Sequence, residues 1–198
     1  MKKWGVVASF KGYCGYPASV CVSVNNEVVH GIPGERVVQE GDVVALDLGV
    51  LHRGFHTDAA VTVGAGELSS QNRKLIEVTE GSLEAGISEA RAGNHVGDIS
   101  VAIQKYAESN GMGVVREYTG HGVGRALHEE PQIPNFDYGK GPLLRKGMTL
   151  AIEPMLTSGG WRTKVAGNKW TVLTIDGSSS AHFEHSIAIT DGAAEVFA

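Results

Sequence analysis

The chain has 198 residues, 42% of them hydrophobic, with a formal net charge of −5 and a pI near 5.9. That is enough chain for one substantial core, and the mild acidity with scattered lysines and arginines argues against a general nucleic-acid surface. No apolar run reaches the roughly 18 residues of a membrane span, and the apolar part of MKKWGVVASF is too short for a signal peptide, so a cytoplasmic location is the default expectation.

The first strand signals fall at about 19 to 24 and 27 to 30, around a turn at Asn25 and Asn26 that reads as a hairpin. Cys14 and Cys21 are the only cysteines, lack the spacing of a zinc knuckle or redox pair, and are expected as free thiols. Cys21, inside the apolar run SVCVSV, reads as a small buried or pocket-lining residue rather than a nucleophile. Cys14, between Tyr13 and Gly15, is either pocket-lining or simply exposed.

Two further β-type runs follow, VVALDLGVL (43 to 51) and TDAAVTV (57 to 63), joined through Arg53 and Gly54. If Leu51 and Gly54 flank a two-residue turn, Asp47 lies directly opposite Asp58. If the turn falls one residue later, the two are expected as diagonal neighbours on one face only when it is also one residue wider. Carboxylates side by side on an apolar strand pair repel and need compensation, which a divalent cation supplies. Asp58 alone also fits a turn-stabilising residue. Asp47, against β-propensity inside VALDLGV, needs a partner either way.

A helix is expected from Ser69 or Ser70 to about Ala92, with Leu75, Ile76, Leu83 and Ile87 near one face and Gly81 and Gly86 weakening it. Asp98 is placed to cap a second helix carrying Ile99, Ala102, Ile103 and Tyr106, which Asn110 and Gly111 stop. Further strands are expected near 114 to 118, 148 to 153, 170 to 175, 182 to 190 and 194 to 197, an α+β order with strands and a carboxylate hairpin in one half and a second set of strands in the other.

Three more metal-type side chains stand in this second half. His121 lies in GHGVG, whose glycines permit unusual backbone angles and a close approach to the imidazole. Glu153 closes the strand MTLAIE, and Glu184 lies in the strand HFEHSIAIT. Taken singly, His121 reads equally as a loop histidine, Glu153 as an arginine partner and Glu184 as an outward strand residue. Taken together with Asp47 and Asp58, they form an oxygen-rich set suited to Mn, Fe, Co or Zn. Two divalent ions would balance its four carboxylate charges.

The run REYTGHGVGRALHEEPQIPNF (116 to 136), with GYCGYPASVCVSVNNEVVHGIP before it and MTLAIEPM, KWTVLT and AHFEHSIAIT after it, resembles type I methionine aminopeptidase over nearly the whole chain. The resemblance implies one metallopeptidase domain over residues 1 to 198 with the pita-bread fold, a pseudo-twofold α+β structure with a curved antiparallel sheet and flanking helices. It implies a two-metal centre held by Asp47, Asp58, His121, Glu153 and Glu184, with Glu153 also moving a proton. By the same resemblance His30 and His128 contact the substrate peptide and stabilise the tetrahedral intermediate, and Tyr13, Tyr16, Cys21 and Trp170 line the methionine pocket. Read from the residues alone, His30 closes a turn before Gly-Ile-Pro, His128 is a solvated residue, and the pocket residues fit ordinary packing nearly as well as a pocket wall.

The implied substrates are nascent polypeptide N-termini, and the residues leave open whether the ribosome is a further partner. Leu127 stands where the family often has an aromatic residue. Family members usually carry additional helices ahead of the GYxGYP region, and MKKWGVVASF leaves no room for them. An uncovered sheet surface, with self-association through it or a partner that covers it, is the expectation that follows, while the untouched ligand set keeps the enzyme reading and leaves metal or peptide binding without turnover as the alternative. Proline-specific relatives carry a large extra domain, and type II enzymes a long insertion between Glu153 and Glu184, neither of which fits here.

Overall fold

The computed structural model describes residues 5 to 198. Met1 to Trp4, the start of the stretch read as too short for a signal peptide, lie outside the described residues. Among the described residues the chain runs β1 (Val7–Ala8), β2 (Cys21–Val24), β3 (Glu27–Val29), β4 (Val43–His52), β5 (Phe55–Gly64), α1 (Ser70–Glu89), α2 (Val96–Ser109), β6 (Gly113–Val114), β7 (Gly120–Gly122), β8 (Glu129–Ile133), β9 (Thr149–Ile152), β10 (Met155–Thr157), β11 (Thr163–Val165), β12 (Val172–Thr174), β13 (Ser180–His182), β14 (His185–Ala188) and β15 (Glu195–Val196).

Two antiparallel sheets dominate. In one, β4 pairs β5 along one edge and β1 and β2 along the other. The other has the order β15-β14-β9-β7-β8. They meet where Ala60 and Glu184 form an isolated antiparallel bridge, so the β4–β5 hairpin continues into the five-stranded sheet. Smaller sheets, β13-β10-β6 and β11-β12-β3, flank this junction.

The hairpin register corrects the expectation. Arg53 and Gly54 form the turn, with φ of 51° and 83°, as tight hairpin turns require. His52 then pairs with Phe55, Asp47 with Ala60 and Gly49 with Asp58. The turn is one residue later than direct opposition of the aspartates needs, yet no wider. Moving a two-residue turn by one shifts the pairing by two residues, which preserves the face. Asp47 and Asp58 are therefore diagonal neighbours on the inner side. The Asn25–Asn26 turn also forms, but β2 pairs β4 and β3 pairs β12, so it directs two strands into different sheets.

Helix α1 begins where Ser69 accepts a hydrogen bond from the Asn72 backbone, and it buries Leu75, Val78, Thr79, Ser82, Leu83 and Gly86 along one stripe. Its glycines do not weaken the structure here. A Cβ on Gly86 would lie 2.8 Å from Ile103 and one on Gly81 2.4 Å from Tyr106, so both residues permit close packing on α2. Helix α2 is capped one turn earlier than expected. His95 is the N-cap, and Asp98 reaches back to accept from the His95 backbone at 2.7 Å. Leu83, Ile99 and Ile103 from the helices pack on Leu150, Ile152 and Ile187 from the five-stranded sheet, so the main core lies between helices and sheet.

The strand expected over 114 to 118 shrinks to Gly113–Val114, and the one over 182 to 190 divides into β13 and β14 around Phe183 and Glu184. Glu153, Trp170 and Glu184 accordingly lie just outside regular strands. β11, which the sequence did not signal, pairs with β12. Among the described residues no helix is long and apolar enough to cross a membrane.

Candidate metal centre and peptide pocket

The inner face of the β4–β5 hairpin supplies Asp47 and Asp58, both buried. Gly49, opposite Asp58, has no side chain for a steric reason: a Cβ there would lie 2.6 Å from the Phe10 ring, which rests on this strand. The Asp58 backbone is tied across the junction. Its N–H donates to Ser186 Oγ at 2.9 Å, and that hydroxyl donates to the Asp58 carbonyl at 2.7 Å. Glu184, two residues before Ser186, is placed by its paired backbone bonds with Ala60.

His121 sits in β7 between β8 and β9. Its flanking glycines serve close approach rather than unusual backbone angles. A Cβ on Gly120 would lie 2.5 Å from the Ala151 carbonyl oxygen, and one on Gly122 2.3 Å from that of Glu130. His121 Nδ1 lies 2.9 Å from the Gly122 carbonyl and donates to it, which leaves a lone pair on Nε2. That nitrogen faces Glu153 Oε1 at 3.5 Å. An acceptor facing an acceptor needs a proton or a cation between them.

Asp58, His121 and Glu184 present donor atoms within 4.8 Å of one another, as do Glu153, His182 and Glu184. Asp47 Oδ1, Asp58 Oδ1 and Glu184 Oε1 are buried with no hydrogen-bond partner among the described residues. Burial drives all four carboxyls up. Asp47 rises to about 6, with Glu153 adding to the rise against the opposing pull of His182. Glu153 rises to about 7 despite His121. Asp58 and Glu184 rise well above the usual range, with repulsion from Asp47 and Glu153 adding to burial. Burial lowers His121, His128 and His182, and brings His30 down to about 4, so the imidazoles are neutral. Such a group of dry carboxylates beside neutral imidazoles fits divalent cations.

The family model for metallopeptidase family M24 matches residues 2–191. The chain belongs to metallopeptidase family M24. It is 52% identical to methionine aminopeptidase 1 of Bacillus subtilis, over 96% of this chain and 77% of that protein. The crystal structure of methionine aminopeptidase from Thermotoga maritima superposes with a TM-score of 0.97 at 52% identity, covering 98% of this chain and 79% of that one. That of methionine aminopeptidase from Rickettsia prowazekii gives 0.96 at 38% identity, with 98% and 79% covered. The fold is thus the pita-bread fold of the M24 enzymes.

In this M24 chain all eleven residues singled out from the sequence line one cavity. The metal-type set lines it together with His30, His128, Tyr13, Tyr16, Cys21 and Trp170. His128 stands beside His121, ring centroids 4.3 Å apart, and its Nδ1 shares a 2.9 Å hydrogen bond with the Tyr13 hydroxyl. His30 has a left-handed backbone, φ 59°, and meets Tyr118 edge-on. Tyr16 donates to the Gly31 carbonyl at 2.7 Å and meets Trp170 edge-on. Burial and the charge of Asp47 push the Cys21 thiol up, which keeps it neutral and unreactive.

Phe10 also lines the cavity, joined by Cys14 and Leu127. Phe10 and His182 are functional neighbours that the sequence expectations did not include. His182 had a signal: it stands two residues before Glu184, so strand alternation puts both on one face.

Proposed function

We propose that this M24 peptidase removes the N-terminal methionine from polypeptides, using two divalent cations (Mn, Fe, Co or Zn) held by Asp47, Asp58, His121, Glu153 and Glu184. The observation that carries the ligand set is the buried group of carboxylate oxygens without hydrogen-bond partners among the described residues. When bound, such cations lower the pKa of water, polarise the scissile carbonyl and anchor the free amine.

The chain's own groups divide the remaining work. Glu153 takes a proton from the attacking water and passes it to the leaving amine as the C–N bond breaks. Tyr13 donates to His128 Nδ1, so the neutral ring keeps its hydrogen on Nε2 for the substrate carbonyl oxygen. His30, which lines the same cavity, also contacts the peptide. Tyr16, Cys21, Leu127 and Trp170, packed as one apolar cluster with Phe10, receive the thioether side chain. Nascent-chain N-termini are the substrates, and the cytoplasm is the place where they are met.

Leu46, Leu48, Val61 and Val63 are exposed on the outer face of the hairpin, with Leu46 directly opposite Val61. A second copy of this chain covers that face by self-association.

The deciding experiment is hydrolysis of a Met-Ala-Ser peptide by the protein loaded in turn with Mn, Fe, Co and Zn, alongside metal analysis. Released methionine is expected. Metal uptake without hydrolysis would leave a binding module, and preference for an Xaa-Pro peptide would place the activity with the proline-specific M24 enzymes.

A further inference from the structure

His182 lies outside the five-residue ligand set but against it. Its side chain is almost completely buried, and its Nε2 has no hydrogen-bond partner among the described residues. That nitrogen lies 3.4 Å from Glu153 Oε2, while Glu153 Oε1 faces His121 Nε2 at 3.5 Å. One carboxylate therefore stands between two imidazoles. His121 turns a lone pair toward it, since its own N–H is engaged with Gly122.

The backbone holds His182 in place. Thr62 Oγ1 donates to the His182 carbonyl at 2.7 Å and accepts from its N–H at 2.9 Å, while neighbouring Phe183 turns into the core between helices and sheet. Glu153 is held less completely. Asn135 donates to its carbonyl oxygen at 3.0 Å, which anchors the backbone but not the carboxylate. A buried carboxylate that must present one oxygen to the reaction needs its other oxygen tied.

We propose that His182 is a positioning residue whose Nε2–H donates to Glu153 Oε2, fixing the carboxylate so that Oε1 faces the cavity. This rests on the reading of Glu153 as ligand and proton carrier. A supporting residue of this kind acts through its neighbour, and its loss typically weakens metal affinity or activity about 10- to 100-fold.

The test compares His182→Leu, which removes the donor, with His182→Gln, which retains one. Calorimetric titration of each protein with Mn is run beside kcat and KM on Met-Ala-Ser. His182→Leu is expected to weaken Mn binding and lower kcat at least about 10-fold with little change in KM, and His182→Gln to recover most of both. Unchanged Mn affinity and kcat in His182→Leu, or equal losses in the two variants, would overturn the proposal. Nitrogen-15 NMR of the wild-type histidines keeps it testable if a variant fails to fold: an exchange-protected hydrogen on His182 Nε2 is expected, and a bare Nε2 overturns it. Glu153→Gln separates the two readings. If that variant keeps Mn affinity and turnover, the role of Glu153 itself is wrong, whatever His182 does.

Discussion

Ala60 and Glu184 exchange backbone hydrogen bonds, Ala60 N to Glu184 O at 3.3 Å and Glu184 N to Ala60 O at 2.9 Å. This one bridge joins the hairpin sheet to the five-stranded sheet and brings the carboxylates of Asp58 and Glu184 to the same place. Two residues to either side, Ser186 and Asp58 lock the junction again.

Ser186→Ala leaves the buried Asp58 N–H without an acceptor. Destabilisation of about 1–3 kcal/mol is expected, together with weaker metal binding. Denaturant unfolding with and without Mn checks both, and an unchanged midpoint would show that the junction does not depend on this hydroxyl.

The metal-free protein should lose stability as pH rises. Asp47 and Glu153 titrate at about 6 and about 7 when folded, against ordinary values of 3.8 and 4.5. Between those ranges the folded chain holds protons on these two carboxyls that the unfolded chain has released, so their contribution to stability is greatest below the ordinary values and declines up to the folded ones, while the buried neutral imidazoles act in the opposite sense below about pH 6.5. Melting in a chelator at about pH 6.5 and about pH 8.5, where these imidazoles are neutral when folded and at most half charged when unfolded, is expected to give the higher midpoint at the lower pH. Glu184→Gln removes a further buried carboxyl whose charged form burial disfavours. It should raise the midpoint at the higher pH and weaken Mn binding, and a lower midpoint would contradict the assigned cost.

His128→Ala should lower kcat/KM by about 10²–10⁴-fold while Mn affinity stays within about threefold. Tyr13→Phe removes the hydroxyl that orients the ring, and a smaller loss is expected. Steady-state kinetics and calorimetry on the same preparations separate the effects. Equal loss of turnover and metal binding in His128→Ala would contradict the division of labour.

Replacing Leu46 and Val61 together by lysine places like charges on the outer face of the hairpin. Sedimentation is expected to show self-association in the wild type and a monomer in the double variant, with turnover retained. A monomeric wild type would remove the proposed interface.

Local chemistry made much of the site legible. An aspartate inside VALDLGV must be paired or compensated once that strand is buried, and Ser69 with the stripe from Leu75 to Leu83 marks α1. The glycines of α1 and of the His121 strand misled in part. Gly86 reads as a weak point in a helix and Gly122 as a source of unusual backbone angles and of close approach to the imidazole, but each makes room for a group distant in sequence, Ile103 in one case and the Glu130 carbonyl in the other.

The sequence by itself determined which residue types were available and which face of a strand each could occupy, because side-chain alternation and helical periodicity are local properties of the backbone. Tertiary structure decided the pairing of Gly49 with Asp58, the Ala60–Glu184 bridge, and the placing of His182 against Glu153. Those depend on which strand edges meet and how closely they pack, and alternation within one strand carries no information about its partner.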